Sequence, residues 1–330
     1  MLMNKLQRGM SIVELMIGLT IGILMLVVLS TLLIDNTRAR SDLDNSMQQV
    51  ENGRYAMQLL AGELRHAGYY GEGSITGSTP ASLPDPCVMT VTGLKDALPL
   101  PVQGYSQQTS SPISCLADAN FKSGTDILVI RRAMTSTKLS ASLDNPTPYM
   151  QSMGNEFKLD LGSNAASFSL TTKSGSAAPI HPFAVQIYFI SPCSKPASGT
   201  NCSGAGDDGG FPRPTLKRLE LVSDGTTLAW TTTALVEGVD QLRVEYGVDS
   251  DGDGVSDSYT ATPSTMSDWA NVTSVRLHLL ARNTRETIGY QDTKTYTLGD
   301  ITVGPTNDKY KRHAYSEAVR LMNVSGRREI

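Results

Sequence analysis

One stretch constrains this chain more than any other: residues 5–35, KLQRGMSIVELMIGLTIGILMLVVLSTLLID. Residues 10–34 make a run of 25, in which Glu14 is the one ionisable side chain. A run of that length crosses a hydrocarbon core of about 30 Å as a helix. Lys5 and Arg8 precede it, and Arg38 and Arg40 follow it. Basic residues ahead of an apolar run hold that end in the cytoplasm, so everything after Asp35 is expected on the far side. A carboxylate inside a membrane segment costs on the order of a few kcal/mol, so Glu14 needs a partner and a task. A secretory signal peptide fits poorly, because the run is too long and no A-x-A-like site follows it. An ordinary uncleaved signal anchor is the plain alternative.

Beyond the anchor the helical pattern continues over residues 36–66. Leu43, Met47, Val50, Arg54, Met57, Leu60, Ala61 and Leu64 recur at three- and four-residue steps, a stripe that predicts one packing face. Gly53 and Gly62 weaken the helix without ending it, and Gly68 ends it. Residues 71–125 are dense in glycine and proline and read as loop with short strands. Alternating runs at 126–131, 182–190, 215–223, 241–248 and 274–281 then predict antiparallel strands with one wet face. Phe183, Val185, Ile187 and Phe189 share one face, as do Val275, Leu277 and Leu279. At the C-terminus, Ala314, Ala318, Leu321 and Met322 fit a helix, whereas 318–323 also fits a strand. Trp230 and Trp269 are expected to be core anchors.

Lys and Arg number 28 against 32 Asp and Glu, and without residues 1–9 the balance is 26 against 32. That acidic balance excludes a nucleic-acid footprint. The four cysteines, Cys87, Cys115, Cys193 and Cys202, are an even set in an extracytoplasmic segment and predict two disulfides. Three pairings are open, and the local ones, Cys87–Cys115 and Cys193–Cys202, are favoured because each brackets a Pro/Gly/Ser-rich loop.

The segment DSDGDGVSD at 249–257 places Asp249, Asp251, Asp253 and Asp257 at positions 1, 3, 5 and 9 of a calcium-loop spacing. Gly254 supplies the turn and Val255 a carbonyl. Thr260 stands where an EF-hand has Glu, so an EF-hand proper is excluded. The choice lies between Ca²⁺ and a solvated Asp-Gly turn. Repulsion among four close carboxylates tips it towards calcium. GAGDDG at 204–209 matches a phosphate-loop pattern, but Asp207 and Asp208 would repel phosphate. His66, His181, His278 and His313 are scattered without metal spacing, and no G-x-S-x-G is present. The basic residues at 309–312 and 327–328 read as a solvated face. No catalytic set is visible, so an enzyme is not expected.

The start, basic residues then Gly-Met-Ser-Ile-Val-Glu-Leu, resembles the class III signal of type IV pilins and of type II secretion pseudopilins. That resemblance implies a prepilin peptidase cutting after Gly9, N-methylation of Met10 as the new terminus, and an assembly role for Glu14. The family usually has Phe where this chain has Met10. The freed amine of Met10 is a charge in apolar surroundings that the Glu14 carboxylate, on this chain or a neighbour, can neutralise. Gly18 and Gly22 allow close helix packing or local melting equally. GRYAMQLLAGELRHAGYYG (53–71), IYFISPC (187–193), LKRLEL (216–221), ALVEGVDQLRVEYGVDSDGDG (234–254) and KYKRHAYSEAVRLMNVSGRRE (309–329) look like the PilW minor pilins, with the last as the closing strand.

The resemblance implies an α+β fold, a long N-terminal α-helix packed on an antiparallel β-sheet domain. It divides the chain into a leader (1–9), a transmembrane and filament-core helix (10–35), an amphipathic continuation (36–66) and an extracytoplasmic β-rich domain (67–330). It further implies a single-pass inner-membrane protein with its C-terminal domain in the periplasm, later placed at a pilus tip. The partners would be other minor pilins, a tip adhesin, the major pilin and the prepilin peptidase. The function would be initiating pilus assembly in support of adhesion and twitching motility. The rivals are a J-type pseudopilin of type II secretion and a membrane-anchored calcium-dependent binding module.

Overall fold

Helix α1, Ile12–His66, runs for 55 residues in the computed structural model, which describes residues 9–73 and 79–328. Lys5, Arg8 and Gly77 lie outside the described residues. The chain forms two compact units, divided between Met47 and Gln48. The first holds the apolar half of α1, whose side chains from Ile12 to Ile34 are exposed. Among the described residues α1 is the one helix long and apolar enough to cross a membrane.

In the second unit α1 buries Gln49, Gly53, Ala56, Met57, Leu60, Ala61 and Leu64. The expected stripe therefore holds from Met57 onward, while Leu43, Met47, Val50 and Arg54 are exposed. The packed face keeps its three- and four-residue spacing, but a polar residue and a glycine begin it. Gln49 donates its side-chain amide to the carbonyl of Ala281 at 2.9 Å. Gly53 leaves room for the ring of Tyr315, whose hydroxyl donates to the carbonyl of Val50 at 3.4 Å. An apolar pattern does not register either residue. A Cβ at position 53 would enter the Tyr315 ring. Gly53→Ala gains about 1 kcal/mol of helix propensity but overpacks by roughly 1–3 kcal/mol. Net destabilisation is expected, read as a lower urea midpoint by tryptophan fluorescence. A raised midpoint would mean that the ring swings aside freely.

Fourteen strands follow among the described residues: β1 (Glu72–Gly73), β2 (Val102–Gln108), β3 (Thr125–Ala133), β4 (Pro148–Gly154), β5 (Glu156–Leu161), β6 (Ile180–Ser191), β7 (Thr215–Ser223), β8 (Leu228–Glu237), β9 (Val239–Val248), β10 (Ser258–Thr260), β11 (Val272–Arg282), β12 (Tyr296–Leu298), β13 (Ile301–Val303) and β14 (Arg312–Arg320). β6 is the hub of an eight-stranded sheet. It pairs β3 on one edge, and β4 and β7 on the other; β2, β1, β5 and β8 complete the sheet. β1 and β4 run parallel, and the other pairs in that sheet are antiparallel. A second antiparallel sheet has the order β10-β9-β11-β14, and β12 and β13 form a hairpin.

The one-wet-face expectation fails for β3 and β6, which are buried on both sides. Ile127, Val129, Phe183, Val185, Ile187 and Phe189 enter one core with Tyr70, Leu94, Leu98 and Phe121. Leu128, Ile130, Tyr188 and Ile190 enter another with Ala56, Leu60 and Leu64 of α1 and Leu242, Val244, Val275, Leu277 and Leu279 of the second sheet. A strand between two layers favours apolar residues at every position; β6 comes near that over Phe183–Ile190, whereas β3 also buries Thr125, Asp126, Arg131 and Arg132. Trp269 lies in the helix-side core, and Trp230 is half-buried, donating its indole N–H to Cys87 O at 3.1 Å.

The loop-rich segment also carries a short helix α2 (Val91–Asp96), capped by Thr90, whose hydroxyl accepts from Gly93 N at 3.3 Å. At the ambiguous C-terminus the strand reading prevails: β14 takes in Ala314 and Ala318, which also fitted a helix, but it ends at Arg320, and a single helical turn, Met322–Ser325, follows.

Candidate functional site

The first turn of α1 is closed by its own side chains. Ser11 precedes the helix, and Glu14 stands three residues on. The Ser11 N–H donates to Glu14 Oε2 at 3.1 Å, and the Val13 N–H donates to Ser11 Oγ at 3.3 Å. This is the carboxylate half of an S-x-x-E capping box, with Ser11 Oγ bonded to Val13 N instead of to Glu14 N, and a carboxylate also lies favourably at the positive end of the helix. Glu14 thus has a local structural partner in addition to the expected amine. The sequence carries the signal as Ser11-Ile12-Val13-Glu14. Gly9 and Met10 directly precede this turn, and both are exposed.

The aspartate loop joins β9 to β10. Asp249, Asp251 and Asp257 each place one carboxylate oxygen within 4.8 Å of the others, and Asp253 is outside that group. The Val255 N–H donates to Asp253 Oδ1 at 2.7 Å. Asp249 is buried and accepts from Gly252 N at 2.7 Å and Gly254 N at 3.0 Å. Asp257 accepts from Ser250 N at 2.7 Å. Arg328 donates to Asp249 Oδ2 at 3.0 Å and to Asn271 Oδ1 at 2.7 Å. Burial alone would raise the Asp249 carboxyl, but Arg328 and the two glycine amides outweigh it and hold the group below the usual carboxylate range. The repulsion that favoured a cation is therefore relieved in part by an arginine 71 residues after the loop closes.

Cys87 bonds Cys115, and Cys193 bonds Cys202. The second disulfide loop is built round Asp207 and Asp208. Asp207 accepts from the N–H groups of Ala197, Ser203 and Gly204 at 2.6–2.8 Å. Those bonds, led by Ala197, outweigh burial and hold it at about 2. Asp208 accepts from Ser194, Lys195 and Arg213 N–H groups at 2.7–3.0 Å. Both carboxylates occupy the loop amides that a phosphate would need.

The solvated-face reading of 309–312 and 327–328 is overturned at Arg312 and Arg328. The Arg312 side chain is 3% exposed and donates to Asp240 at 2.8 Å, Asp292 at 2.9 Å and Asp308 at 2.6 Å. Lys122 pairs with Asp240 as well. Burial would raise Asp240, but the charges of Lys122 and Arg312 hold its carboxyl well below the usual range. Arg327 is exposed, as expected, and donates to Gly73 O at 3.2 Å. A second network joins the sheets. Arg243 of β9 donates to Asp126 of β3 at 3.1 Å and, through two nitrogens, to Asp300 at 2.7 Å. The Arg312–Asp240, Arg243–Asp126 and Arg243–Asp300 partners lie more than 50 residues apart and carry no local pattern that would reveal them.

His278 lies between Ser316 Oγ at 2.8 Å and Glu245 Oε2 at 3.1 Å. The three side chains sit on adjacent strands β14, β11 and β9 of one sheet face, a cross-strand network set by register. Arg276 beside them stacks on the Tyr259 ring, 3.5 Å from its centroid.

Comparison with known proteins finds a family match over the second sheet and its connections. Residues 198–323 match the family of type IV pilus-assembly protein W, PilW. None of the curated proteins matches the chain. A type IV-like pilin from Thermus thermophilus aligns over 83% of this chain and 97% of its own, at 12% identity and a TM-score of 0.35. The matched span takes in strands β7 to β14, the aspartate loop and both partners of the Asp240–Arg312 pair. Over residues 198–323 this chain is thus similar to the family of type IV pilus-assembly protein W.

Proposed function

We propose that this chain is a minor pilin that helps to initiate type IV pilus assembly. It would do so in a tip-located complex with other minor pilins and an adhesin, next to the major pilin, and would support adhesion and twitching motility. The observation that carries this reading is the PilW-type span 198–323 in the same chain as an uncovered apolar helix opening on Glu14. Its role is structural. It sits in the inner membrane with its β domain in the periplasm, a prepilin peptidase cuts after Gly9, and Met10 is methylated. N-terminal sequencing of the protein from its host tests this reading: Met10 is expected first, and an intact Met1 would overturn it.

Calcium at the aspartate loop belongs to the same proposal. Three carboxylate oxygens within 4.8 Å of one another support it, and Arg328 competes for Asp249. Calorimetry with Ca²⁺ is expected to show weak binding, and Arg328→Ala to tighten it about tenfold. A full-length chain without calcium heat in either form would remove the cofactor.

A further inference from the structure

We propose that β8 is the pairing edge for a second copy of this chain, strand to strand and antiparallel, centred on Thr232. The inference goes beyond the pilus reading and stands whether or not the chain enters a filament.

Among the described residues β8 pairs with β7 along Leu228–Glu237 and with no other strand. In an antiparallel pair, alternate residues turn their N–H and C=O groups away from the neighbour. The outer edge of β8 therefore presents a row of backbone donors and acceptors that another strand can complete. Ala229, Thr231, Thr232, Thr233 and Ala234 are exposed on both faces of the strand.

Two other edge strands carry charges that discourage such pairing, and β2, the uncharged edge beyond β3, is buried over Val102, Gln103 and Gly104 where β8 is exposed. β5, which pairs only β4, has Glu156, Lys158 and Asp160 at alternate positions. β14, which pairs only β11, has His313, Glu317 and Arg320. Residues 228–236 have no charge at all and no proline, and they are rich in threonine and other β-forming residues. Charged side chains and prolines are the usual means by which an edge is kept from pairing, and this edge has neither.

The strand is also complementary to itself. Antiparallel pairing about Thr232 sets Thr231 against Thr233 of the second copy, Trp230 against Ala234, and Ala229 against Leu235. Large residues meet small ones, hydroxyl meets hydroxyl, and Glu237 falls opposite Thr227 rather than another carboxylate. Two short strands bury less than a stable interface needs, so the pairing is weak. Anchors in one membrane raise the effective concentration of both copies.

Site-directed crosslinking of the full chain in detergent micelles tests this. The four native cysteines are all disulfide-bonded, so one added cysteine supplies the lone free thiol. Thr232→Cys is expected to form a crosslinked dimer about tenfold faster than Ala229→Cys, whose mate is Leu235. A mixture of Thr231→Cys and Thr233→Cys is expected to give mixed dimers in preference to like ones. Thr232→Lys sets like charges opposite each other and is expected to weaken self-association by about tenfold. Equal crosslinking at 229 and 232, like dimers from the mixture, or a chain monomeric at every concentration would overturn the proposal.

Discussion

Glu14→Gln is expected to leave helix α1 intact and to remove the chain from filaments. Glu14→Ala should remove it equally and also fray the first turn. The two variants separate the two tasks of this side chain. Glutamine keeps an oxygen for the Ser11 N–H, now 3.1 Å from Glu14 Oε2, and loses only the charge. Alanine loses both, and the missing capping contact costs about 1 kcal/mol. Under the proposed function, the carboxylate must meet the freed Met10 ammonium in apolar surroundings. An unmet charge there costs roughly 2.5–3.5 kcal/mol, enough to lower incorporation by about a hundredfold. Immunoblots of sheared pili against the membrane fraction would read both variants. Glutamine near wild type with alanine impaired would reduce Glu14 to a helix cap. Both variants at wild-type level would dismiss the assembly role.

Arg312→Ala is expected to be the most damaging single change in the β domain. The guanidinium faces three carboxylates, and the Asp292 side chain among them is fully buried. Tyr296 also donates to Asp292 at 3.0 Å and Thr306 at 3.4 Å, so the connection from β11 to β14 is organised round one arginine. Removing one partner of a buried pair leaves uncompensated charge and costs roughly 3–5 kcal/mol. That is a large share of the stability of a typical domain. Urea unfolding followed through Trp269 should show it, and replacing Arg312 and Asp240 together should cost less than the two single changes summed. Strict additivity would show that the pair is not coupled.

The two cases also show where sequence reading works and where it stops. Strand β7 was legible at its full length, because alternation is a local property of 215–223. The double burial of β6 left a sign in its near-continuous apolar run, Phe183–Ile190, whereas that of β3 did not, because Asp126, Arg131 and Arg132 break the run and are buried only through partners elsewhere in the chain. The stripe on α1 could be read from Met57 onward, where apolar residues pack. It could not be read at Gln49 and Gly53, which are chosen by Ala281 and by the Tyr315 ring. The cap at Glu14 was present as S-x-x-E but was masked by the stronger question of a charge in an apolar run.

By itself the sequence determined the apolar helix, its single carboxylate, the order of the main strands and the even set of cysteines. These depend on composition and spacing within a few turns or strands. Only the tertiary structure decided that Arg312 and Arg328 face carboxylates rather than water, that Asp249 has a counter-charge, and that the uncharged run 228–236 lies at the edge of a sheet. Coulombic pairs and sheet edges are set by which distant segments meet. Water screens a charge on an isolated segment, and only packing takes that screen away.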